Sequence, residues 1–515
     1  MATFQQIARE NRQKNSGGRY PDPLANATTL AILLRRLSRI PEKDRPAITI
    51  VALHLWLTQR WLDIRSVEDI PDFYRISGST ACRANTFRNY KDGAISWSEY
   101  SLAYDDGNEV HYLWQPIPIY LNAYFQPFIS SQSYETPFLR TKDKILLLRI
   151  MCNKWSTPAP LASCPRVRRD TFHQYFIDCA LADNTLTALP RAKLIPRNQK
   201  HHKYSESYQN SDSDRIRYKL FDAQNRYLDR LIRAARNADL SHHFELFQAN
   251  YSINLITVTP HVAEYLTSPG RISQTVLDTS NGTLQSIRSP SIKLGSKRYL
   301  EETAVVHFFQ KLFTFLQSQK PLQPANKNLW VFYYNTATYR VALLFILLTG
   351  TRPTHSISIL NPFYGGDDIV FVKDKGRLRQ VIVCDYLQGE IKNYRKFQAF
   401  ILALFEIDAP LDELWFGIND NGQPFRLSNR LLRQFINQHW EGVVPYQLRH
   451  FFAQSAVSNM SSIRLLDQDI DRLMGHESQG EHLGSDIVFP QTFLAMKNYL
   501  NQYANKLVLK EFSYV

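Results

Sequence analysis

The order of apolar and polar residues along the chain is mostly helical. Apolar side chains recur every three or four positions in residues 27–66, 141–240 and 301–316, a spacing that places them on one face of a helix. The stretch 67–140 differs, because short apolar runs alternate there with Ser, Tyr, Asp and Gly, and we expect it to be irregular or partly β. Ser, Thr, Gly and Pro are enriched in 268–298, which is typical of a linker or a long loop. The pattern therefore predicts a mainly α, multi-domain protein.

From residue 330 onward the pattern predicts a defined series of elements. A buried helix over 341–348 ends at Gly350, and a β-hairpin follows over 368–385 with a polar turn at 373–376. Further helices are predicted at 390–405, at 428–440, from residue 445, up to residue 474 and over 491–503. The C-terminal part is thus expected to be helical with one small hairpin.

Three regions follow from these changes in pattern. Residues 1–140 are predicted to form an N-terminal domain of unknown role, 141–325 a helical and basic region, and 326–515 the C-terminal domain. The main boundary is placed at 320–330, where two prolines interrupt the chain.

Composition adds a partner to this picture. The chain has 61 Lys and Arg against 47 Asp and Glu, a formal net charge of +14. A surplus of this size suits a polyanion, because each cation placed on a phosphate releases counterions. A basic protein without a nucleic-acid role is the alternative that charge alone leaves open.

The same composition bears on the compartment. The 5 cysteines are scattered without a CxxC pair, which argues against a zinc ribbon or a disulfide framework and fits a reducing cytoplasm. Residues 1–14 carry no apolar leader segment, and the apolar run 341–348 is about half as long as a membrane span requires. We therefore expect a cytoplasmic, DNA-associated protein with no membrane partner.

Basic clusters upstream of the C-terminal domain mark candidate DNA contacts. Residues 218–236 are predicted to form an amphipathic helix whose basic side chains lie off its apolar stripe. Such a helix could follow a phosphate backbone, or it could be an ordinary helix with a solvated basic face. The candidates that precede it are Arg191, Lys193, Arg197, Lys200 and Lys203.

Four short motifs follow one another after residue 340. They are Leu-Thr-Gly-Thr-Arg at 348–352, Lys-Gly-Arg at 375–377, Tyr-Gln-Leu-Arg-His-Phe-Phe-Ala at 446–453 and Leu-Met-Gly-His at 473–476. The first follows a helix end, the second is the hairpin turn, the third opens a helix and the fourth closes one. Each motif alone is weak. In this order and on these elements they resemble the two arginine boxes, the Lys-Gly turn and the Gly-His motif of the tyrosine recombinase (phage integrase) catalytic domain.

The resemblance implies how a DNA phosphate would be held. Arg352 and Arg449 would bind its non-bridging oxygens, whose negative charge grows as the strand is cut. His450 and His476 would donate to the phosphate or move protons. Tyr446 stands where the family usually has a histidine, and its phenol can donate a hydrogen bond but is a poor base. No metal or other cofactor is implied, because the arginines supply the positive charge.

The hairpin turn carries the remaining basic candidates. Lys375 would protonate the leaving 5′ oxygen, with Lys373 as the alternative if the turn is shifted. Lys373 and Arg377, on either side of the turn, also count among the predicted DNA-binding residues.

Two further positions depart from the family pattern. His355 lies three residues after Arg352, where the family commonly has an acidic residue. The position of the nucleophilic tyrosine is occupied by Ser485, and residues 477–490 contain no tyrosine.

Two interpretations of the nucleophile stay open. In the first, Tyr499, with Tyr503 behind it on the same predicted helix, attacks the phosphate and forms a covalent 3′-phosphotyrosyl intermediate. In the second, the chain has lost cleavage and keeps the basic residues for binding. Retention of both arginines and of the hairpin lysine favours the first. Ser485 is a third candidate without an evident base beside it.

The function expected from the resemblance is site-specific DNA recombination or integration, serving a mobile genetic element. The family implies double-stranded DNA as the partner, with dimers or tetramers of the chain on DNA and other proteins encoded by the element as further partners. The alternatives are a catalytically degenerate DNA-binding protein used for targeting or regulation, and an interaction scaffold that binds no DNA.

Overall fold

The computed structural model describes most of the chain. The described residues are 23–77, 82–92, 95–105, 110–152, 173–183, 185–195, 210–240, 272–278, 283–289, 293–321, 327–374, 377–407, 411–457, 465, 467–475 and 490–514. They form two compact units, Met1–Lys203 with Ser211–Gly295 and Tyr204–Asn210 with Ser296–Val515. Both units are mainly helical, as the periodicity predicts.

The first unit combines helices with a four-stranded sheet. Its helices are α1 Pro23–Ser38, α2 Arg45–Leu57, α3 Ile119–Ser131, α4 Thr141–Cys152, α5 Tyr175–Ala182, α6 Ala188–Leu194 and α7 Ser213–Asn237, with a 3₁₀ turn at Arg60–Asp63. Its strands are β1 Tyr74–Arg75, β2 Thr86–Asp92, β3 Ile95–Asp105 and β4 Val110–Pro116, in that order across the sheet, with β1 parallel to β2 and the other pairs antiparallel. The sheet lies in the stretch expected to be irregular or partly β.

Short strands follow in the region expected to be a linker or a long loop. They are β6 Ile272–Asp278, β7 Thr283–Ser289 and β8 Lys293–Gly295, and β6 pairs antiparallel with β7; the short strand β5 Asn210–Asp212 lies earlier in the chain, directly before α7. Part of that region is therefore a β-hairpin.

The core of the first unit contains a buried ionic network beside its apolar side chains. Arg88 Nε lies 2.7 Å from Glu99 Oε2, and Arg217 Nη1 lies 3.1 Å from Asp214 Oδ1, with all four side chains almost fully buried. Two cations and two carboxylates share the site, so their charges balance. A buried network of this kind is tolerated because each ion has an opposite charge within reach.

The second unit has eight helices among its described residues. They are α8 Glu302–Ser318, α9 Lys327–Thr349, α10 Pro353–Ser356, α11 Asp385–Leu404, α12 Asn429–His439, α13 Pro445–Val457, α14 Asp467–Met474 and α15 Pro490–Lys506, with a 3₁₀ turn at Asn361–Phe363. Two hairpins complete it, β9 Ile369–Asp374 with β10 Arg377–Ile382 and β11 Phe416–Ile418 with β12 Pro424–Arg426. The predicted hairpin at 368–385 and the predicted helices after it are confirmed.

Helix α9 forms the centre of the second unit. It is longer than the predicted segment 341–348, and all eight residues of that segment are fully buried. By length and composition α9 is the one described helix that could cross a membrane, yet 83% of its apolar window is buried inside the protein. Burial on all sides is what an unpatterned apolar helix in a core requires.

The start of the second unit differs from the predicted boundary at 320–330. Apolar residues of α8, among them Val305, Leu312 and Leu316, belong to the same core as α9. The two prolines near residue 321 therefore separate two helices within one unit, and they do not mark its edge.

Candidate anion-binding site

A cluster of arginines lies where the end of α9, the β9–β10 hairpin and α13 meet. Arg352 directly follows α9 and donates from Nη1 to Asp374 Oδ1, at the last residue of β9. His355 Nδ1 lies 3.1 Å from the same carboxylate oxygen. Arg379 on β10 extends toward the other oxygen, with Nε 3.8 Å from Asp374 Oδ2. Three short elements thus bring two guanidinium groups and an imidazole to one carboxylate.

Arg449 is the third arginine of this cluster, and it is fully buried. From α13 it donates one Nη to the carbonyl oxygen of Gly350 and the other to the carbonyl oxygen of Met474, at 2.8 Å. These carbonyls stand at the C-terminal ends of α9 and α14, where helical carbonyls lack partners within the helix. Arg449 therefore ties two helix ends together and places a positive charge behind the other two arginines.

The positive charges of the cluster exceed the negative ones. The guanidinium groups of Arg352 and Arg379 share the carboxylate of Asp374, and the charge of Arg449 is close enough to act on Arg379. Burial, the charge of Arg449 and the charge of Arg352 lower the pKa of Arg379 to about 10, against the opposing effect of Asp374. Burial and the charges of Arg352, Arg379 and Arg449 lower the pKa of His355, against the opposing effect of Asp374.

Arg379 has donors that the described residues leave unused. Its Nη1 donates to the carbonyl oxygen of Leu473 at 2.9 Å, whereas its buried Nε and Nη2 find no hydrogen-bond partner among the described residues. The guanidinium lies against the backbone of Gly475, where a Cβ would come within 2.6 Å of Nε. Gly475 has a φ of +66°, so glycine is favoured here both by the backbone and by the arginine beside it.

Arg379 is not among the residues predicted from the motifs, although the sequence contains a signal for it. In β10, Arg379 pairs with the buried Val372, whereas Leu378 is 56% exposed. Strand residues alternate between faces, so this hairpin points an arginine inward and a leucine outward. An inverted pattern of this kind marks a functional or strained position.

The predicted two-arginine clamp is corrected in one respect. Arg352 lies in the cluster with its side chain 21% exposed, as a phosphate ligand requires. Arg449 is buried and bonded to two carbonyl oxygens, so it supports the site from behind, while Arg379 takes a more accessible position.

His450 and Tyr446 lie on α13 beside this cluster. Ser296 Oγ lies 3.2 Å from His450 Nδ1, and burial together with the charges of Arg298 and Arg449 lowers the pKa of His450 to about 4. The ring of Tyr446 contacts that of His450 edge-on, with 5.3 Å between centroids. His450 is therefore a neutral, packed histidine at neutral pH.

Tyr499, the predicted nucleophile, is part of the core. Its side chain is fully buried on α15, and its ring stacks on that of Tyr503 with 6.1 Å between centroids. Burial raises the pKa of Tyr499 above its usual value of 10, and its hydroxyl has no hydrogen-bond partner among the described residues. In this conformation the phenol is neither accessible nor readily ionised, because the apolar helical spacing of α15 directs it inward.

The upstream basic candidates are placed only in part. Arg191 is buried and donates to the carbonyl oxygens of Ala180, Asp183 and Leu186, so its assignment as a DNA-binding residue is corrected to a structural one. Lys193 donates to the carbonyl oxygen of Ala103 at 2.9 Å. Arg197, Lys200 and Lys203 lie outside the described residues, as do Lys375, His476 and Ser485.

Two other groups of basic residues are placed. Lys373 is exposed on β9, and the backbone of Arg377 opens β10. The predicted amphipathic helix is α7, where Arg226 and Arg233 pair with acidic residues one turn earlier, Asp222 and Asp229. This pairing is typical of a solvated helix face.

No group of three or more His, Cys, Asp or Glu side chains in the described part of the chain could hold a metal ion.

Comparison with known proteins gives a likeness in three dimensions alone. No protein-family model matches the chain, and no curated protein matches it. Among solved structures it is similar to the XerH site-specific recombinase bound to palindromic difH substrate in a post-cleavage complex, and to the same recombinase bound to difH substrate in a pre-cleavage complex. Each match has 15% identity, covers 56% of this chain and 91% or 86% of the recombinase chain, and has a TM-score of 0.25. At this TM-score the alignment is too loose to transfer residue roles.

Proposed function

We propose that this chain is a DNA-binding protein whose C-terminal unit holds a backbone phosphate of double-stranded DNA at the cluster of Arg352, Arg379 and Arg449. The observation that carries the proposal is the charge imbalance at Asp374, whose single carboxylate lies beside the guanidinium groups of both Arg352 and Arg379, while the nearby charge of Arg449 also lowers the pKa of Arg379. A buried surplus of positive charge is costly in a folded protein unless an anion neutralises it.

A phosphodiester ligand fits this surplus of positive charge better than a carboxylate ligand does. Guanidinium groups bind phosphate oxygens through paired N–H donors and stay charged at any working pH. Buried Nε and Nη2 of Arg379 lack partners among the described residues, and the half-buried Arg352 has one edge bonded to Asp374. Arg449 adds charge from behind these two side chains.

The extent of the basic surface favours DNA over a small phosphate compound. The chain carries a net charge of +14, and its sequence has Lys373, Lys375 and Arg377 around the connection from β9 to β10. Each further cation along a DNA backbone adds affinity by releasing counterions, which a small ligand would not use. DNA-bound dimers or tetramers and partners encoded by a mobile element stay predictions.

Substitution of Arg379 tests the proposal. We expect Arg379→Gln to weaken binding to duplex DNA by about tenfold or more. The slope of log affinity against log salt concentration should become smaller by about one, as expected for the loss of one phosphate contact. Arg426→Gln is the matched control, because Arg426 loses the same charge from the same unit but is exposed and paired with Glu413. Equal effects of the two substitutions in a salt titration would mean that the cluster is not the phosphate site.

Strand cleavage by Tyr499 is a second candidate function, favoured by one observation. The Tyr499 hydroxyl is buried without a hydrogen-bond partner among the described residues, a costly state that a shift of α15 would relieve. In the reaction His476 would take the proton of the Tyr499 phenol and the phenolate oxygen would attack phosphorus. The bond from phosphorus to the 5′ oxygen would break, and Lys375 would give that oxygen its proton. The arginines stabilise the added charge in the transition state. Site-specific recombination or integration would follow from this step.

Trapping on DNA separates cleavage from binding. Incubation with suicide DNA substrates taken from the gene's own flanks should give a denaturant-resistant adduct that Tyr499→Phe abolishes and that Tyr503→Phe and Ser485→Ala retain. Loss of the adduct in Tyr503→Phe or Ser485→Ala, with retention in Tyr499→Phe, would identify Tyr503 or Ser485 as the nucleophile instead. DNA binding without any adduct in the wild-type protein would leave binding as the function.

A further inference from the structure

Asp374 occupies a special position in the arginine cluster. It is the last residue of β9, directly before the hairpin turn, and its side chain is 6% exposed. Its Oδ1 accepts a hydrogen bond from Arg352 Nη1 and lies 3.1 Å from His355 Nδ1. One carboxylate oxygen therefore fixes one edge of the Arg352 guanidinium.

The second oxygen of Asp374 is arranged differently. Asp374 Oδ2 and Arg379 Nε are 3.8 Å apart, beyond hydrogen-bond distance, and neither atom has a hydrogen-bond partner among the described residues. On the hairpin the two side chains share the inner face, because Arg379 pairs with Val372, two residues before Asp374. Asp374 thus holds Arg352 while the buried donors of Arg379 stay available.

We propose that Asp374 is a positioning residue of the phosphate site, which orients Arg352 so that its free edge meets the phosphate. The inference rests on the proposed function, and it adds a link between the site and the hairpin. Because Asp374 is the last residue of β9, the end of this strand and the orientation of Arg352 are set together.

The opposite expectation comes from charge alone. A carboxylate beside a phosphate site repels the phosphate, so its neutralisation would tighten DNA binding if repulsion were its main effect. Positioning predicts weaker binding after the same substitution, although the protein becomes more positive. The sign of the change decides between the two.

The experiment is a double-mutant cycle on Arg352 and Asp374, read as affinity for duplex DNA at fixed salt. Asp374→Asn should weaken binding by about three- to tenfold, as expected for coupled residues in contact. In the Arg352→Gln background the same substitution should not weaken binding, because nothing is left to position. A general loss of structure would weaken binding in both backgrounds, and pure repulsion would tighten it in both; either result overturns the inference.

Two further variants complete the design. Asp368→Asn removes the same charge from the other end of the hairpin, where Asp368 pairs with Lys497 at 2.6 Å, and should change affinity by less than about twofold. If Asp374→Asn does not fold, Asp374→Glu replaces it, because Glu keeps the charge and displaces the carboxylate by one methylene. Lower affinity of Asp374→Glu supports positioning, and unchanged affinity overturns it.

The cycle also separates this inference from the proposed function. If Arg352→Gln alone leaves DNA affinity unchanged, the proposed phosphate site is wrong. If Arg352→Gln weakens binding while Asp374→Asn does not, the phosphate site stands and the positioning role falls.

Discussion

Two sites with buried arginine in the C-terminal unit, one at Arg340 and one at Arg379, differ in how the positive charge is neutralised. Arg340 on α9 donates to Glu390 at 2.6 Å, to the Tyr514 hydroxyl at 2.9 Å and to the Lys510 carbonyl oxygen at 3.1 Å. Burial alone would lower the pKa of Arg340, but Tyr514 and Glu390 raise it above its usual value. In the cluster of Arg352, Arg379 and Arg449 the balance is reversed, and the pKa of Arg379 falls to about 10.

The difference distinguishes an arginine that serves the fold from one that serves a ligand. Arg340 has its own carboxylate within the unit, as Arg88 has Glu99 in the first unit. Buried pairs of this kind are complete in the folded chain. Under the proposed function, the cluster around Arg379 becomes electrically complete when a phosphate binds, and the charge balance of a buried arginine then indicates its role more directly than its burial does.

Two separate variants, Arg340→Met and Arg379→Met, should show the largest difference in stability. Arg340→Met leaves the Glu390 carboxylate buried without its cation and should lower the free energy of unfolding by about 3–5 kcal/mol. Arg379→Met removes a charge from a site with a surplus, so its loss of stability should be below about 1 kcal/mol or reversed. Urea unfolding of both variants measures the contrast. Similar losses would show that charge balance does not separate the two groups.

Lowering the pH should destabilise the folded protein through His450, because the charges of Arg298 and Arg449 oppose its protonation. Its pKa is about 4 in the folded protein and about 6.5 in an unfolded chain, so between these values the unfolded state binds the extra proton. Stability should therefore fall as the pH falls from about 6.5 toward 4, by up to about 3 kcal/mol from this residue.

Two variants test whether His450 causes this slope of stability against pH. His450→Gln should remove this part of the pH dependence, measured by urea unfolding at several pH values. Arg298→Gln should reduce it, because the charge of Arg298 helps to lower the pKa of His450. An unchanged slope in His450→Gln would assign the pH dependence to other groups, such as the buried His54, whose pKa burial also lowers.

The smallest effect is expected at the unsatisfied phenol. Tyr499→Phe removes a buried hydroxyl without a partner among the described residues, so stability should stay the same or rise by up to about 1 kcal/mol. Tyr503→Phe loses a hydrogen bond to the Leu347 carbonyl oxygen and should cost about 1 kcal/mol. Thermal unfolding of the two variants tests whether the unpaired Tyr499 hydroxyl costs stability.

The sequence predicted the C-terminal elements well because their signals are local. Gly350 and Gly475 end helices at positive φ, and the alternation of the hairpin strands fixes β9 against β10. The boundary near 320–330 was placed from local proline content. Its true location depends on which core the apolar face of α8 joins, a long-range property that periodicity does not encode.

The candidate site was predictable in part for a similar reason. Motif spacing identified Arg352 and Arg449 and the hairpin, but motifs do not report side-chain direction. Arg379 and Asp374 enter the site through the pairing register of the hairpin, which is a property of two strands together. Arg449 turned out to be buried because the ends of two helices require its donors.

The bond between Arg340 and Tyr514 has a consequence for synthesis of the protein. The two residues are 174 positions apart, so α9 is made long before the side chain that completes its environment. At roughly 5–20 residues per second, translation leaves this interval open for roughly 10–30 s. During that time α9, the most apolar helix of the unit, lacks the C-terminal residues that contact it in the folded protein. Exposure of this helix during synthesis is therefore a risk for co-translational aggregation, and slow translation after α9 prolongs it.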